Sequence, residues 1–512
     1  MKLKEYKTDS GEIILYNGIP NFEKLEVLSN GPGDIWHSSF EQGYKNAFPE
    51  LVYQSAVFFM YINDFDNLEE CVSWRINPNQ FAIRKSVWET LKGFDQEYKS
   101  TQLQALDFGY NALRNSGAIP LYSKGLFEAK SKDEINITVK DRYVFFRKNF
   151  KIEHSVFMLY RKGFWKWNEW NAFLFAKKNF KQTIHRPIVK HRTLLKIEGK
   201  PTVSYILPTM LRQDFALQLL EDLANQAYPV SQVVIVDATP ESYRNENLYY
   251  KKKYPFELIV KWQKTKGSCR ARNEAIILCT GDYIVFGDDD VRVKPDFIEN
   301  HIRLLQTYKV NACNGLDIRA DHMQQGLKEL EQKLNKLGEQ RWKVGANAGF
   351  SNANSCVKTE CVRKLVGNDI NFDGGYGEDS DFGMSLVKIG EVVIFNPFSS
   401  NLHLKPPVGG YRFWGTQAGV LGKKRKVQPW ELDTPVRFVR PVPSPTIMYG
   451  ILKHFTTQQL IEYKYKHFFL YLFKGTKTGL LYRFLRLPYK NLQFKRSLFY
   501  AKKLNELGVR HK

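Results

Sequence analysis

Four short apolar runs, joined in part by helix-like segments, constrain the fold of this 512-residue chain more than any other feature. The runs are VSYILPT, QVVIVDAT, FELIVKW and DYIVFG, all between residues 203 and 287. Two segments, DFALQLLEDLANQAY and SCRARNEAIILCT, carry apolar residues at helical spacing. Strands that alternate with helices form a parallel sheet with helices on both of its faces. The sequence therefore predicts an α/β domain over residues 199–410.

Three consecutive carboxylates, Asp288, Asp289 and Asp290, follow the fourth apolar run. Like charges this close raise each other's pKa and destabilise the ionised state unless a cation lies among them. Mg²⁺ and Mn²⁺ prefer oxygen ligands and often hold substrate phosphates as well. The run therefore predicts a metal–diphosphate site at the carboxyl end of a strand, where open α/β sheets bind ligands. A solvated acidic turn is the alternative interpretation.

Three further elements are predicted along the same sheet edge: Pro208-Thr209, Asp237 and the helix start at 267–273. The carboxylate of Asp237 can accept hydrogen bonds from a base or a ribose. A helix N-terminus with adjacent arginines suits phosphate. The residues expected to bind there are Gly267, Arg270, Arg272 and Asn273. Together with Asp288 and Asp289 these elements predict a nucleotide-diphosphate cradle, although an aspartate that ends a strand is often only a helix cap.

The glycine-rich segment GGYGEDSDFG supplies a candidate base, Asp379. Glycine lets the backbone approach a ligand closely, and a carboxylate within hydrogen-bond reach of an acceptor hydroxyl can take its proton. Gly375, Tyr376 and Glu378 are expected to contact that acceptor. A helix N-terminus with an acidic first turn is the alternative. His403 is expected to add a metal ligand, unless it is an ordinary core or surface histidine.

These residues resemble a known family. Residues of about 201–410 are similar to the family 2 glycosyltransferases with the GT-A fold, a Rossmann-like mixed sheet. KGSCRARNEAI resembles the family's G-x-x-x-ARN element, and GDYIVFGDDDV resembles its DxD strand. GGYGEDSDFGMSLVKIG resembles its ED element, in which the second residue, here Asp379, is the usual base. The chain departs from the pattern at Ala238, where a second acidic residue is usual, and at Gly287, where a bulky apolar residue is common.

The resemblance implies a metal-dependent, inverting transfer from a nucleotide-sugar, with a UDP-sugar expected, to a growing lipid-linked cell-surface polysaccharide. It implies Mn²⁺ or Mg²⁺ at Asp288 and Asp290, with His403 as a further ligand, and Asp379 as the base. A non-catalytic nucleotide-sugar-binding scaffold of a glycan assembly complex is the alternative. A nucleotidyltransferase is a third candidate, but LPTMLRQD lacks the glycine-rich loop typical of that class.

The N-terminal region contains a weaker copy of the same pattern. NQFAIRKSVWETLKGFDQEY and LQALDFGYNALRNSGAIPLY are similar to the acceptor half of the later domain. The ED pair is expected at Leu106-Asp107, and no DxD precedes it. We therefore expect residues 1–125 to form a truncated, non-catalytic GT-A-like module with a role in acceptor binding or homo-oligomer assembly. Residues 126–198 are expected to form a mainly helical connector.

The net charge of +23 is concentrated in the C-terminal region. From Leu404 onward there are 22 Lys and Arg against 4 Asp and Glu, a net charge of +18. Lysine and arginine alternate there with Phe, Tyr and Leu, as in basic amphipathic helices that lie on anionic membranes. Residues 411–512 are therefore expected to bind a membrane surface, or else to pack as a helical subdomain. Single-stranded nucleic acid is a third candidate partner, but no binding motif is visible, so none is expected.

The six cysteines form no CxxC pair and no zinc-like cluster with histidine, which predicts free thiols in a reducing cytoplasm. Residues 1–20 lack an apolar segment of the signal-peptide type, and no run of about 18 apolar residues occurs. The expected location is therefore the cytoplasm, with peripheral attachment to the inner membrane face.

Overall fold

The computed structural model describes residues 3–128, 134–406, 409–411, 427–473 and 479–512. The chain forms two compact units, each built from separate stretches of sequence. The first contains Met1–His191, Lys343–Ala346 and Phe455–Leu487. The second contains Arg192–Trp342, Asn347–His454 and Pro488–Lys512.

The first unit contains a six-stranded sheet. Its strands are β1 (Lys4–Lys7), β2 (Ile13–Asn17), β3 (Ile35–His37), β4 (Glu70–Val72), β5 (Phe81–Arg84) and β6 (Pro120–Ser123). Their order is β1-β2-β5-β3-β6-β4, and only β3 and β6 form a parallel pair. The helices of this part of the chain are α1 (Phe22–Ser29), α2 (Lys85–Leu91), α3 (Thr101–Asn111), α4 (Val139–Asn149), α5 (Ile152–Gly163) and α6 (Trp167–Asn179).

The second unit contains an eight-stranded mixed sheet. Its strands are β7 (Val203–Thr209), β8 (Gln232–Asp237), β9 (Glu257–Trp262), β10 (Tyr283–Gly287), β11 (Val291–Val293), β12 (Ala312–Arg319), β13 (Asn354–Lys358) and β14 (Val393–His403). Its helices up to residue 388 are α7 (Gln213–Ala224), α8 (Ser268–Leu278), α9 (Phe297–Tyr308), α10 (Leu327–Lys336), α11 (Thr359–Leu365) and α12 (Glu378–Lys388). The strand order is β11-β14-β12-β13-β10-β7-β8-β9.

The four predicted apolar runs form the parallel part of this sheet. Strands β9, β8, β7 and β10 are mutually parallel, and every residue of β7 and β8 is buried. Central strands covered on both faces are expected to be apolar along their whole length. The parallel register places Thr209 beside Asp237, so the carboxyl ends of the strands meet at one edge. The predicted α/β fold with a mixed sheet is confirmed.

The C-terminal helices divide between the two units. They are α13 (Pro445–His454), α14 (Thr457–Phe473), α15 (Leu480–Leu485) and α16 (Leu487–Glu506). In the first unit, Arg161 of α5 forms an ion pair with Glu462 of α14. In the second, the Arg510 guanidinium donates to the side-chain oxygen of Asn371. The described part of the region predicted as a single tail, residues 411–512, is thus divided between the two units.

The predicted helical connector over residues 126–198 also differs from the structure. Helices α4 to α6 belong to the first unit, where Glu169 of α6 accepts hydrogen bonds from Arg142 and Tyr143 of α4. Residues 180–198 contain no helix. The part of the chain that the structure describes has no helix long and apolar enough to span a bilayer.

The internal similarity between the units is visible in their element order. The elements β5-α2-α3-β6 follow one another as β13-α11-α12-β14 do. Both longer helices contain the sequence Asp-Phe-Gly, at Asp107 and at Asp381. Both glycines permit close backbone contact, since a Cβ would lie 2.1 Å from a carbonyl oxygen at Gly109 and 2.0 Å at Gly383.

This correspondence corrects the expected position of the N-terminal ED pair. Asp107 matches Asp381 rather than Asp379, so the equivalent of Glu378-Asp379 is Gln104-Ala105. The Asp107 carboxylate is buried, and it accepts hydrogen bonds from the Tyr98 hydroxyl at 3.0 Å and the Asn149 amide at 2.6 Å. The first unit therefore has no carboxylate at the position of the candidate base.

Candidate active site

The acidic run lies in the turn between β10 and β11, and the sheet brings a distant histidine to it. Strand β11 pairs antiparallel with β14, in a register that sets Val291 opposite His403. The His403 Nε2 atom consequently lies 3.1 Å from Oδ1 of Asp290. Ligand atoms of Asp288, Asp290 and His403 all lie within 4.8 Å of one another. Two carboxylates and an imidazole are a donor set that suits Mn²⁺ and Mg²⁺ sites, so the predicted metal ligands are brought together.

Asp317 on β12 completes this cluster, and sequence reasoning missed it. Its Oδ1 atom lies 3.2 Å from Nδ1 of His403, on the side of the ring away from Asp290. Burial would lower the pKa of His403, but the hydrogen bonds to Asp290 and Asp317 outweigh it and raise the pKa to about 10. The imidazolium then donates to both carboxylates. A metal ion bound through Nε2 would displace that proton while Asp317 continued to orient the ring.

Arg212 neutralises the other side of the acidic run. Its Nη1 atom lies 3.2 Å from Oδ1 of Asp289 and 3.0 Å from Oδ2 of Asp290. Burial acts to raise the pKa of Asp290, but the interactions with His403 and Arg212 lower it overall. Two cationic side chains thus offset the repulsion that the triplet predicts.

Asp289, which is as buried as Asp290, has a hydrogen-bond partner in β7. Its Oδ2 atom accepts a hydrogen bond from the Thr209 hydroxyl at 2.7 Å, and its side chain is buried. Burial and the charge of Asp290 raise the pKa of Asp289 to about 7. Thr209 and the adjacent buried Pro208 were both predicted to contact the nucleotide. The structure shows that Thr209 holds Asp289 in place, and contact of Thr209 and Pro208 with a nucleotide stays a prediction.

Arg272 lies close to the carboxylates of Asp288 and Asp379. Its Nη2 atom donates to Oδ1 of Asp288 at 2.6 Å, while its Nε and Nη1 atoms are buried without a hydrogen-bond partner among the described residues. Burial acts to lower the pKa of Arg272, but Asp288, Asp379 and Glu378 raise it overall. A buried guanidinium with unused donors is suited to an anionic ligand.

The start of α8 is capped by a carboxylate from elsewhere in the chain. The backbone N–H of Cys269 donates to Oδ1 of Asp373 at 2.7 Å, and Nε of Arg270 lies 3.4 Å from Oδ2. A Cβ at Gly267 would fall 2.2 Å from Oδ2 of Asp373, so a larger residue would require that carboxylate to shift. Asp373, which the sequence pattern did not reveal, lies where phosphate binding was predicted at Gly267 and Arg270, and that binding stays a prediction.

Asn273 is also engaged within the protein. Its side-chain amide donates to the backbone carbonyls of Asn368 and His511, and its oxygen accepts from the Asn368 N–H at 2.6 Å. These contacts fix the loop after α11 and the C-terminal residues of the chain. Asn273 therefore positions this part of the chain, and its direct contact with a nucleotide stays a prediction.

Asp237 lies at the end of β8 with both oxygens partnered. Oδ1 accepts from the Thr239 N–H and Oδ2 from the Tyr249 hydroxyl, each at 2.8 Å. Burial is the main cause that raises the pKa of Asp237. Tyr249 comes from the loop before β9, and no sequence motif marks it. Ala238, at the position where the family usually has a second acidic residue, is buried and offers no polar group to a ligand.

Asp379 occupies the first turn of α12, after Gly377 in a left-handed conformation with φ of 108°. Its half-buried carboxylate accepts one hydrogen bond, from the Asn352 N–H at 3.2 Å. Burial and the neighbouring charge of Glu378 raise the pKa of Asp379 to about 7, although Arg272 opposes this. A carboxylate with such a pKa is matched to proton transfer near neutral pH.

Gly375, four residues before Asp379, packs against α13. A Cβ at Gly375 would lie 2.3 Å from the Thr446 hydroxyl oxygen, and that oxygen accepts from the Tyr376 N–H at 2.8 Å. Gly375 thus serves close packing, while Glu378 beside Asp379 stays partly exposed. Tyr376 and Glu378 shortly precede Asp379 in the chain, and contact of these residues and Gly375 with an acceptor stays a prediction.

Comparison with known proteins agrees with this geometry. Residues 204–365 match the family model described as glycosyl transferase family 2. A protein of Escherichia coli (strain K12) named as the colanic acid biosynthesis glycosyl transferase WcaA is 29% identical over 101 residues. The teichuronic acid biosynthesis glycosyltransferase TuaG of Bacillus subtilis (strain 168) is 27% identical over 107 residues. These alignments cover 20% and 21% of this chain, and 36% and 42% of the relatives' own lengths.

Solved structures of glycosyltransferases also align with the chain. The mannosyltransferase PcManGT from Pyrobaculum calidifontis, in complex with GDP-Man and Mn²⁺, is 18% identical with a TM-score of 0.35. It covers 61% of this chain and 88% of that one. TarS residues 1–349 of S. aureus in complex with UDP-GlcNAc is 15% identical with a TM-score of 0.35, and covers 59% and 88%.

The family match spans β7 to α11, which includes the parallel strands and the acidic run. Of the later elements of the second unit, α12 carries Asp379 and β14 carries His403. The segment from β7 to α11 therefore matches glycosyl transferase family 2, and it lies in a mixed α/β sheet of the kind expected for the GT-A fold.

Proposed function

We propose that this protein is a glycosyltransferase that moves a sugar from a nucleotide-sugar donor to an acceptor hydroxyl with inversion at the anomeric carbon. The observation that carries the proposal is the pairing of two groups around Arg272. On one side lies the donor set Asp288, Asp290 and His403, and on the other lies Asp379, a carboxylate with a pKa of about 7.

Asp288, Asp290 and His403 would hold a Mn²⁺ or Mg²⁺ ion. When bound, the ion supplies positive charge against the diphosphate of the leaving group. Arg272 adds two buried donor nitrogens, Nε and Nη1, that no described residue hydrogen-bonds. Asp317 orients the imidazole of His403 through Nδ1, and Arg212 forms ion pairs with Asp289 and Asp290. These residues together favour the build-up of negative charge on a departing nucleoside diphosphate.

Asp379 acts as the general base in this proposal. It is partly exposed, close to Tyr376 and Glu378, and retains an oxygen that no described residue hydrogen-bonds. It takes the proton of the acceptor hydroxyl as the oxygen attacks the anomeric carbon. Such assistance contributes roughly 10²–10⁴-fold to a rate. A scaffold that only binds nucleotide-sugars has no need of a base tuned to neutral pH.

The acceptor is proposed to be a growing cell-surface polysaccharide on a lipid carrier, and the donor a UDP-sugar. Two relatives named for colanic acid and teichuronic acid biosynthesis support the polysaccharide class. A lipid-linked acceptor requires the enzyme to work at a membrane surface, and we propose the inner face. The cationic C-terminal region, with a net charge of +18 from Leu404 onward, is suited to anionic lipids.

A thermal-shift screen tests the donor proposal. Purified protein is heated with UDP-, GDP-, dTDP- or CMP-sugars, each with and without Mn²⁺. The proposal predicts a rise in Tm for UDP-sugars that requires Mn²⁺ and is lost in Asp290→Asn. A rise for another nucleotide class would correct the donor. No Mn²⁺-dependent rise with any donor would refute the proposed site.

A further inference from the structure

One short helix of the first unit presents an unusually apolar surface. Helix α15 has the sequence LLYRFL. Leu481 and Leu485 are each 71% exposed, and Tyr482 and Phe484 are each 60% exposed. Phe473, the last residue of α14, is 61% exposed. Large apolar side chains grouped in this way mark interaction surfaces rather than ordinary protein surface.

Hydrogen bonds hold α15 in place, even though its apolar side chains are exposed. The Arg483 guanidinium of α15 donates to the backbone carbonyl of Leu472 in α14 at 2.8 Å. Helix α14 is in turn fixed to α5 by a two-bond ion pair between Arg161 and Glu462, at 2.7 and 2.8 Å. The scaffold therefore holds α15 with its apolar side chains directed outward.

The charge of the surrounding sequence identifies the kind of partner. Residues 463–487, which belong to the same unit as α15, contain six Lys and Arg and no Asp or Glu. Such a segment attracts an anionic surface, and exposed leucines and phenylalanine require an apolar one. An anionic lipid bilayer offers both, because phosphate headgroups overlie acyl chains. Nucleic acid offers the charge but has no apolar interior to accept aliphatic side chains.

We infer that α15 is a membrane-insertion element that places Leu481, Tyr482, Phe484 and Leu485 among the headgroups and upper acyl chains of an anionic bilayer. Tyrosine is favoured at that depth because its ring is apolar and its hydroxyl stays hydrated. Basic residues attract the protein to the surface, and α15 holds it there. The proposed function supplies only the reason why the protein would bind a membrane. Vesicle binding itself is measured without donor or acceptor.

Vesicle sedimentation of the full chain tests the inference. Wild-type protein is mixed with vesicles of phosphatidylcholine alone or of phosphatidylcholine with phosphatidylglycerol. The variant Leu481→Gln/Leu485→Gln removes apolar surface without changing charge. The matched control, Ile277→Gln/Val366→Gln, alters side chains that are 72% and 62% exposed in the second unit.

We expect wild type and the control to bind phosphatidylglycerol vesicles, and the α15 variant to bind at least tenfold more weakly. An unchanged Mn²⁺-dependent thermal shift with donor would show that the variant is folded and that the proposed active site is separate. Binding of the α15 variant equal to that of wild type would overturn the inference, because charge alone would then suffice. Failure of the wild type to bind anionic vesicles would also overturn it.

Discussion

Replacement of Asp381 by asparagine tests whether this carboxylate, in the first turn of α12, stabilises the fold without taking part in the proposed reaction. The Asp381 side chain is 5% exposed and accepts from His454 Nε2 at 2.7 Å and Lys453 Nζ at 2.8 Å. Asp379, two residues earlier, contacts neither of them. We therefore expect Asp381→Asn to destabilise the fold while the candidate base is left in place.

The magnitude follows from the burial of the partners. Loss of one member of a buried ion pair costs about 3–5 kcal/mol, because the other charge is left without compensation. Lys453 keeps a second carboxylate, Asp369, at 3.0 Å, and His454 can remain neutral because burial lowers its pKa. The expected loss in the free energy of unfolding is consequently at the lower end, about 3 kcal/mol.

The effect has a defined pH dependence. Burial acts to raise the pKa of Asp381, but His454 and Lys453 lower it overall. A carboxyl group with a lowered pKa stabilises the fold above its unfolded-state pKa and loses that effect as the pH falls through its folded-state pKa. The difference between wild type and Asp381→Asn should thus be constant from about pH 8 to 5 and shrink below about pH 4.

Urea unfolding at pH 7, with hydrogen exchange of peptides from α12 and α13, measures this difference locally. Asp321→Asn is the control, since Asp321 forms a similar pair with Lys333 at 2.8 Å but is 71% exposed. Its stability should match that of wild type. Equal destabilisation by both substitutions, or none by Asp381→Asn, would refute the reasoning.

Three further predictions concern the site and its supports. Because the Asp379 base must be ionised and its pKa is about 7, kcat/KM should fall roughly tenfold per unit below about pH 7, and a flat pH–rate profile would contradict this. Asp317→Asn should weaken Mn²⁺ binding in a calorimetric titration by about 10–100-fold through loss of the orienting carboxylate, whereas unchanged affinity would exclude the positioning role. Gly287→Ala should cost about 1–3 kcal/mol in urea unfolding, since its Cβ would lie 2.0 Å from the Tyr205 hydroxyl. Gly326→Ala, which meets nothing closer than 3.7 Å, should have little effect.

The strands and the acidic run that follows β10 were predictable because local patterns determine them. A buried parallel strand is a continuous apolar run, and its carboxyl end must reach the ligand-binding edge. The position of Asp288 and Asp290 follows from that rule. Gly287 was visible as a departure from the family pattern, and the structure explains it by the Tyr205 ring, which fills the space a larger residue would need.

Partners that lie far apart in sequence were not predictable. Asp373 and Cys269 are 104 positions apart, and no local rule indicates that a carboxylate caps α8. The same is true of Asp317, whose contact with His403 depends on the register of β12 and β14. Sequence motifs identify which residue types meet at the sheet edge, but side-chain packing decides which of them face a ligand and which face each other.

Turnover by Asp379→Asn is the most direct test of the central claim that the second unit is a glycosyltransferase with a carboxylate base. The assay follows release of nucleoside diphosphate from the donor that the thermal screen identifies, in the presence of Mn²⁺, with donor affinity measured by calorimetry. The account predicts a fall in turnover of roughly 10²–10⁴-fold with donor affinity essentially retained. Turnover close to that of wild type would contradict it.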